Sequence, residues 1–186
     1  MFLNLRDIQR LLDQRGSQQY RQEAVSQREH ALQCAQLAES AGEPDALVIA
    51  CLLHDLGHLL NAEKNGPTKH DLSRDDLHQY SLLPFLRGVL PDEVLEPIHL
   101  HVDAKRFLCQ AEDGYFATLS AVSVRSLAQQ SGVYTALESR VFLQQPFAHE
   151  AVRLRRYDDL AKVPDRVVPP LEHYLPRLER LMLQTA

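Results

Sequence analysis

Apolar positions recur at helical rather than strand spacing along nearly the whole chain. Ile8, Leu11 and Leu12 mark a short first helix. His30, Cys34, Leu37, Ala38 and Ala41 share one face of a second, which stops near Gly42-Glu43-Pro44. Asp45 stands where it could cap a third helix, with Leu47, Ala50, Cys51 and His54 on one face. The run from Ala46 to Leu53 is apolar throughout, so this helix is read as buried. Residues 61–76 are polar with Gly66-Pro67 as a breaker, which is long for a bundle connection and makes a candidate lid or entrance loop. The pattern then predicts a helix from about Asp76 to Val89. Another is opened by Pro91-Asp92, with Val94, Ile98, His101 and Lys105 on one face, and two more run over 116–130 and 135–144. Pro146 fits the first turn of the next helix, which carries Arg153, Arg155, Arg156 and Asp158. A break over 164–170 precedes a terminal helix over 171–183. No strand-like alternation, repeat or low-complexity tract interrupts the pattern, so the expectation is an all-α chain built as one bundle.

Composition narrows the class. The chain has 186 residues, 45% of them hydrophobic, enough for a substantial core. A net charge of −5 argues against nucleic acid or an anionic membrane as partner, although a local basic pocket stays compatible with it. Cys34, Cys51 and Cys109 lack CxxC spacing and sit among apolar neighbours, as reduced thiols of a cytoplasmic protein do. The start of the chain has no signal-like pattern, and the longest apolar run is too short to span a bilayer.

The chemistry concentrates in His54-Asp55-Leu56-Gly57-His58. An imidazole and a carboxylate stand side by side at the end of an apolar helix. A carboxylate has two oxygens and can bridge two metal ions, while the adjacent His ligates one; such donors suit Fe, Mn, Zn or Ni. A dinuclear site needs further ligands from several helices. The candidates are His30 on the second helix, His78 after the polar loop, His101 on the Val94/Ile98 face and Asp158 on the late helix. His99 and His101 project roughly 200° apart on a helix, so only one serves a given site. His101 is preferred because Lys105 follows it one turn on. Asp158 is preferred over Asp159, which is left to pair with Arg155 or Arg156. A single His on an apolar face is ordinarily a hydrogen-bonded core residue; four around a His-Asp pair read as ligands.

With these residues in view, the chain resembles the HD-domain superfamily, and within it the PhnZ-type phosphonate-cleaving oxygenases. His30, His54-Asp55 and Asp158 match the general HD pattern, and His78 and His101 the dinuclear branch. Tyr20 with Glu23, the stretch from His101 to Leu108 and the stretch from Arg153 to Asp159 match the narrower signature. The resemblance implies a single HD-domain helical bundle over 1–186, with a core of about 20–162 and a terminal helix of about 170–184. It also implies two Fe ions in a mixed-valent Fe(II)/Fe(III) pair and O2 as co-substrate. The implied reaction cleaves the C–P bond of a small α-hydroxyphosphonate to phosphate and a carboxylic acid. In that family pattern Asp55 bridges the irons; His30, His54 and Asp158 hold one, and His78 and His101 the other. His58, Lys105, Ser123, Ser126 and Arg155 take the substrate, and Tyr20 with Glu23 forms a gate. Where the family carries a Gly-Gly-Pro-type turn, this chain reads Gln129-Gln130-Ser131-Gly132, which bears on the substrate's far end.

Plainer alternatives stand beside these roles: a surface ion pair for Arg155, a solvated helix end for Lys105, packing for the serines, a helix cap or buried hydrogen bond for His58, an amphipathic position for Tyr20. The competing function is a metal-dependent phosphohydrolase of the same superfamily acting on a nucleotide or other phosphate ester. The Tyr20/Glu23 pair and the two extra ligands weigh against it. An inositol-oxygenase-like ring cleaver fits less well, because cations and serines suit an anion better than a neutral polyol. A non-catalytic scaffold would not need the intact His-Asp pair.

Overall fold

In a computed structural model of the chain, the described residues are 2–17, 23–65 and 77–183, with the backbone alone for 62–65 and 183. The longer helices are α1 (Leu5–Arg15), α2 (Gln27–Ser40), α3 (Asp45–Leu53) and α4 (Leu56–Asn65). Two single turns, α5 (His78–Ser81) and α6 (Leu83–Leu86), lead into the long α7 (Asp92–Ala111). The turn α8 (Tyr115–Thr118) and helices α9 (Ala121–Gln129), α10 (Ala136–Leu143), α11 (Ala148–Leu160) and α12 (Leu171–Leu183) complete the chain. No strand occurs among the described residues, and the fold is all-α.

Three N-termini carry reciprocal capping boxes: Asn4 with Asp7, Ser26 with Glu29, and Thr135 with Glu138. Each satisfies backbone donors that a helix start otherwise leaves open. The core forms where α2, α3, α7 and α11 pack on one another. Ile49, Leu52 and Leu53 of α3 meet Leu95 and Ile98 of α7 and Leu154 of α11, with Ile8 of α1 and Tyr174 and Leu178 of α12 closing the outside. Burying one such aliphatic side chain contributes roughly 1.5–3 kcal/mol. This apolar frame fixes the helices whose inner ends carry the polar site.

Several expected elements differ. The predicted helix from Asp76 to Val89 is two turns, because Pro84 has no N–H to donate to the preceding turn and Gly88 turns the chain at φ 81°. The predicted helix over 116–130 breaks at Leu119–Ser120, where the Ser120 hydroxyl accepts from the Ser123 N–H and starts α9 afresh. Pro146 precedes α11 instead of sitting in its first turn; Phe147, at φ 63°, makes the corner. Asp45 is the first residue of α3 rather than its cap, and its carboxylate pairs with Arg180 at 2.7 Å. Residues 61–65 of the expected polar loop continue α4, and residues 66–76 lie outside the described residues. Beyond α11, Gln33 of α2 holds the outgoing strand of chain. Its amide nitrogen donates to the Val163 carbonyl at 2.8 Å, and its amide oxygen accepts from the Val163 N–H at 3.1 Å.

Candidate metal centre and anion cavity

Asp55 stands where α3 hands over to α4, and its two carboxylate oxygens face two different groups of histidines. Oδ2 lies 3.7 Å from His30 Nε2 and 3.6 Å from His54 Nε2. Asp158 of α11 joins this side, with its Oδ1 3.4 Å from His30 Nε2. Oδ1 of Asp55 lies 3.2 Å from His78 Nε2, 3.7 Å from His58 Nε2 and 3.8 Å from His101 Nε2. Side chains from α2, the α3–α4 junction, α4, α5, α7 and α11 thus converge on one cluster. His30, His54, Asp55, His58, His78, His101 and Asp158 are all buried.

Local backbone explains two of these positions. Gly57 presses on the backbone of His78: a Cβ built on it would lie 2.1 Å from the His78 carbonyl oxygen. Leu77, immediately before His78, adopts the left-handed region at φ 51°, which costs a non-glycine residue about 1–3 kcal/mol. Strain of this kind is held where the surrounding structure requires a particular side-chain direction, and here the side chain delivered is His78.

The donor chemistry fits metal ions. His30 Nδ1 donates to the Ala161 carbonyl at 2.8 Å, and His54 Nδ1 to the Cys51 carbonyl at 2.8 Å. In a neutral ring the Nε2 then carries the lone pair. The two Nε2 atoms face each other at 3.3 Å as acceptors, which a shared cation satisfies and a hydrogen bond does not. His101 is oriented likewise, its Nδ1 donating to the Ile98 carbonyl at 2.6 Å. Such outer partners fix the ring and its tautomer for metal binding. Asp55 Oδ2 and Asp158 Oδ1 are buried with no hydrogen-bond partner, a costly state that a cation would relieve. Burial would raise the Asp55 carboxyl, but His54, His58 and His78 outweigh it and hold it well below the usual carboxylate range. Burial acts the same way on Asp158, where Arg155, His30 and Lys162 prevail. Burial, the largest influence on His54 and His101, pushes both imidazoles down and keeps them neutral.

Beside this cluster opens a cavity with Asp55, His58, His78 and His101 on one wall and Lys105, Ser123, Ser126 and Arg155 on the other. Lys105 is 2% exposed, not a solvated helix end, and its Nζ donates to Ser126 Oγ at 2.7 Å. Arg155 is 4% exposed, so its ion pairs are not surface pairs. Its Nη1 donates to Asp158 Oδ2 at 2.6 Å and its Nη2 to Ser123 Oγ at 3.5 Å. Behind it Asp159 accepts from the guanidinium, and Tyr115 donates its hydroxyl to the same carboxylate. Burial opposes the Arg155 charge, but Asp158 and Asp159 outweigh it and hold the guanidinium well above its ordinary range. His58 stacks on His78 with ring centroids 3.9 Å apart, so it borders both the cluster and the cavity.

Glu23 also lines the cavity, accepting from Ser120 Oγ at 2.5 Å; Tyr20, its expected partner in a gate, lies outside the described residues. His99 turns away, toward Glu96 and the ring of Tyr80. Two polar cavity residues, Lys162 and Gln130, carry no site role in the sequence reading. Lys162 lies one turn beyond Asp158, a spacing that would have revealed it. Gln130 ends α9, where the departure from the family's turn places an amide on the cavity wall.

Comparison with known proteins agrees with this geometry. Residues 28–114 match the HD domain. The chain is 42% identical to hydroxymethylphosphonate dioxygenase of Gimesia maris (strain ATCC 29201 / DSM 8797 / 534-30), over 90% of this chain and 83% of that protein. It is 32% identical to the glycine-betaine-forming [1-hydroxy-2-(trimethylamino)ethyl]phosphonate dioxygenase of Leisingera caerulea, over 92% of this chain and 87% of that one. An uncharacterised protein of Acanthamoeba polyphaga mimivirus is 30% identical over 92% of this chain and 78% of its own length. The chain belongs to the HD-domain superfamily, in its PhnZ-type phosphonate-oxygenase family.

Proposed function

We propose that this protein is a di-iron, O2-dependent oxygenase that cleaves the C–P bond of a small α-hydroxyphosphonate. The observation that carries the reading is the division of Asp55: one oxygen toward His30, His54 and the Asp158 side, the other toward His78 and His101, with an anion cavity against the second group. His30, His54 and Asp158 would hold one iron, His78 and His101 the other, and Asp55 both. Two relatives named as phosphonate dioxygenases support the substrate class.

When bound, the iron pair supplies Lewis acidity toward the substrate's oxygens and the redox capacity to use O2. The protein's own residues bind and orient. Lys105, Ser126, Ser123 and Arg155 would receive the phosphonate oxygens, since charged and hydroxyl donors suit a dianion. His58, buried at the boundary, would donate to an oxygen between the metal side and the anion side. The apolar frame behind the cluster excludes water, which strengthens each of these contacts. Glu23, with Tyr20, would gate the cavity. The reaction balances as a four-electron oxidation: both atoms of O2 enter the products, one phosphonate becomes one phosphate, and the hydroxyl-bearing carbon becomes a carboxylate. Cys34 and Cys51 are buried free thiols and Cys109 a half-buried one, as suits the cytoplasm, and no helix among the described residues is long and apolar enough to cross a membrane.

The reading is tested by supplying iron-loaded protein with α-hydroxyphosphonates, with and without O2, and measuring phosphate and carboxylic acid. Phosphate release from nucleotides or other phosphate esters without O2 would favour the hydrolase instead.

A further inference from the structure

Arg155 reaches the cavity from a socket formed behind it by one carboxylate and one phenol. Asp159, one turn further along α11, accepts from Nε at 3.2 Å and also from Nη2. Tyr115 stands beside this pair. Its hydroxyl oxygen accepts from Nε at 3.3 Å, and its O–H donates to Asp159 Oδ2. A guanidinium carries five N–H donors in one fixed plane. With its Nε edge occupied from behind, the Nη1–Nη2 edge is turned to Asp158 Oδ2 at 2.6 Å and Ser123 Oγ at 3.5 Å, on the cavity side.

Tyr115 is itself fixed. It is 6% exposed, with its ring packed among Leu108, Leu119 and Leu127. The chain just before it is tied to α11 by Arg156, which donates to Glu112 at 2.6 Å. Burial outweighs Arg155 and pushes the Tyr115 hydroxyl well above the usual phenol range, so it stays protonated and donates. Arg155 faces two carboxylates, and the Tyr115 O–H takes up part of the acceptor capacity of one of them. Tyr115 is not among the residues that line the cavity, so any effect it has on an anion there passes through Arg155.

We propose that Tyr115 is a positioning residue for the reaction: through Asp159 and the Nε of Arg155, it sets the plane of the guanidinium so that the Nη1–Nη2 edge meets the anionic end of the substrate. A guanidinium held in that plane can offer two parallel donors to one anion, and a tilted one cannot. The inference rests on the reading of the cavity as a hydroxyphosphonate site and adds a residue that acts on the substrate's anionic end from outside the cavity.

The test uses Tyr115→Phe, which removes the hydroxyl and keeps the ring in its packing. Dissociation constants for inorganic phosphate and for hydroxymethylphosphonate are measured by titration calorimetry on iron-loaded protein without O2. Tyr115→Phe should bind both about three- to tenfold more weakly, by a common factor, at unchanged iron content. In steady-state turnover KM should rise by that factor while kcat falls less than about twofold. In an Arg155→Lys background, which lacks the planar fork, the same change should weaken binding by less than about twofold more. A merely structural role for the hydroxyl would instead give the same loss in both backgrounds. An unmoved phosphate affinity in Tyr115→Phe, or full additivity with Arg155→Lys, would overturn the inference. So would loss of iron in step with loss of affinity, since the effect would then lie at the metal centre. A parent that binds phosphate but not hydroxymethylphosphonate would defeat the hydroxyphosphonate reading, while the phosphate comparison would still decide the role of Tyr115. A parent that binds neither would overturn both.

Discussion

Gly57 and His78 touch through their backbones: a Cβ on Gly57 would stand 2.1 Å from the His78 carbonyl oxygen. The atom that would be struck is backbone, so no side-chain rotation relieves the clash. Gly57→Ala should therefore push the start of α5 away and carry His78 from Asp55 Oδ1. Overpacking of this kind costs about 1–3 kcal/mol. The expected result is a modest fall in melting temperature, a large loss of activity and less than the parent's full iron content. Metal analysis beside a thermal melt checks it; full iron and full activity in Gly57→Ala would show that His78 does not need this contact.

Asp55→Ala should abolish binding of both metals, because no other group among the described residues faces both sets of histidines. The variant should resemble the metal-stripped parent in thermal stability, whereas the parent should gain stability on reloading by the mass action of a ligand that binds only the folded state. Iron-to-protein ratios and paired melts give the answer. Retention of one full equivalent would mean that the two sides bind metal independently.

Arg155 is gripped from behind by Asp159 and Tyr115 and reaches Ser123 in front. Hydrogen bonds from charged donors contribute roughly 1.5–3 kcal/mol each. Arg155→Ala should lower kcat/KM for an α-hydroxyphosphonate by about tenfold or more. Arg155→Lys should recover only part, since an ammonium cannot offer two parallel donors. Asp159→Asn, one step removed, should raise KM more than it lowers kcat. Steady-state kinetics at full iron loading separate these outcomes.

Ser26 begins α2 with a reciprocal box to Glu29, one turn ahead of His30. Ser26→Ala should cost about 1 kcal/mol of stability and leave the far end of the cavity unaltered. A chemical denaturation curve measures the first, and the ratio of substrate affinities the second.

Much of this arrangement is legible in the sequence because helix periodicity and ligand identity are local. The second, third, seventh and last helices follow from their apolar spacing, and His30, His54, Asp55, His101 and Asp158 fall on faces that the fold turns inward. What was not legible depends partly on breaks inside segments of helical composition and partly on groups distant in the chain. Pro84 and the Leu77 backbone break a segment whose composition reads as one helix, and Ser120 restarts another. Lys162 was passed over because it follows a helix end; its place at the cavity depends on His30 and Gln33 of α2, which hold the backbone on either side of it. The outer partners of the histidines are backbone carbonyls of Ala161, Cys51 and Ile98, which no side-chain pattern reveals.

The central claim is that Asp55 and its two groups of histidines serve an oxidation of an α-hydroxyphosphonate. The most direct measurement is product formation by iron-loaded protein given hydroxymethylphosphonate in the presence and absence of O2. The account predicts phosphate and formate in equal amounts, matched by the O2 consumed, and neither product without O2. Phosphate released from a phosphate ester at the same rate with or without O2, together with no product from any α-hydroxyphosphonate, would contradict it.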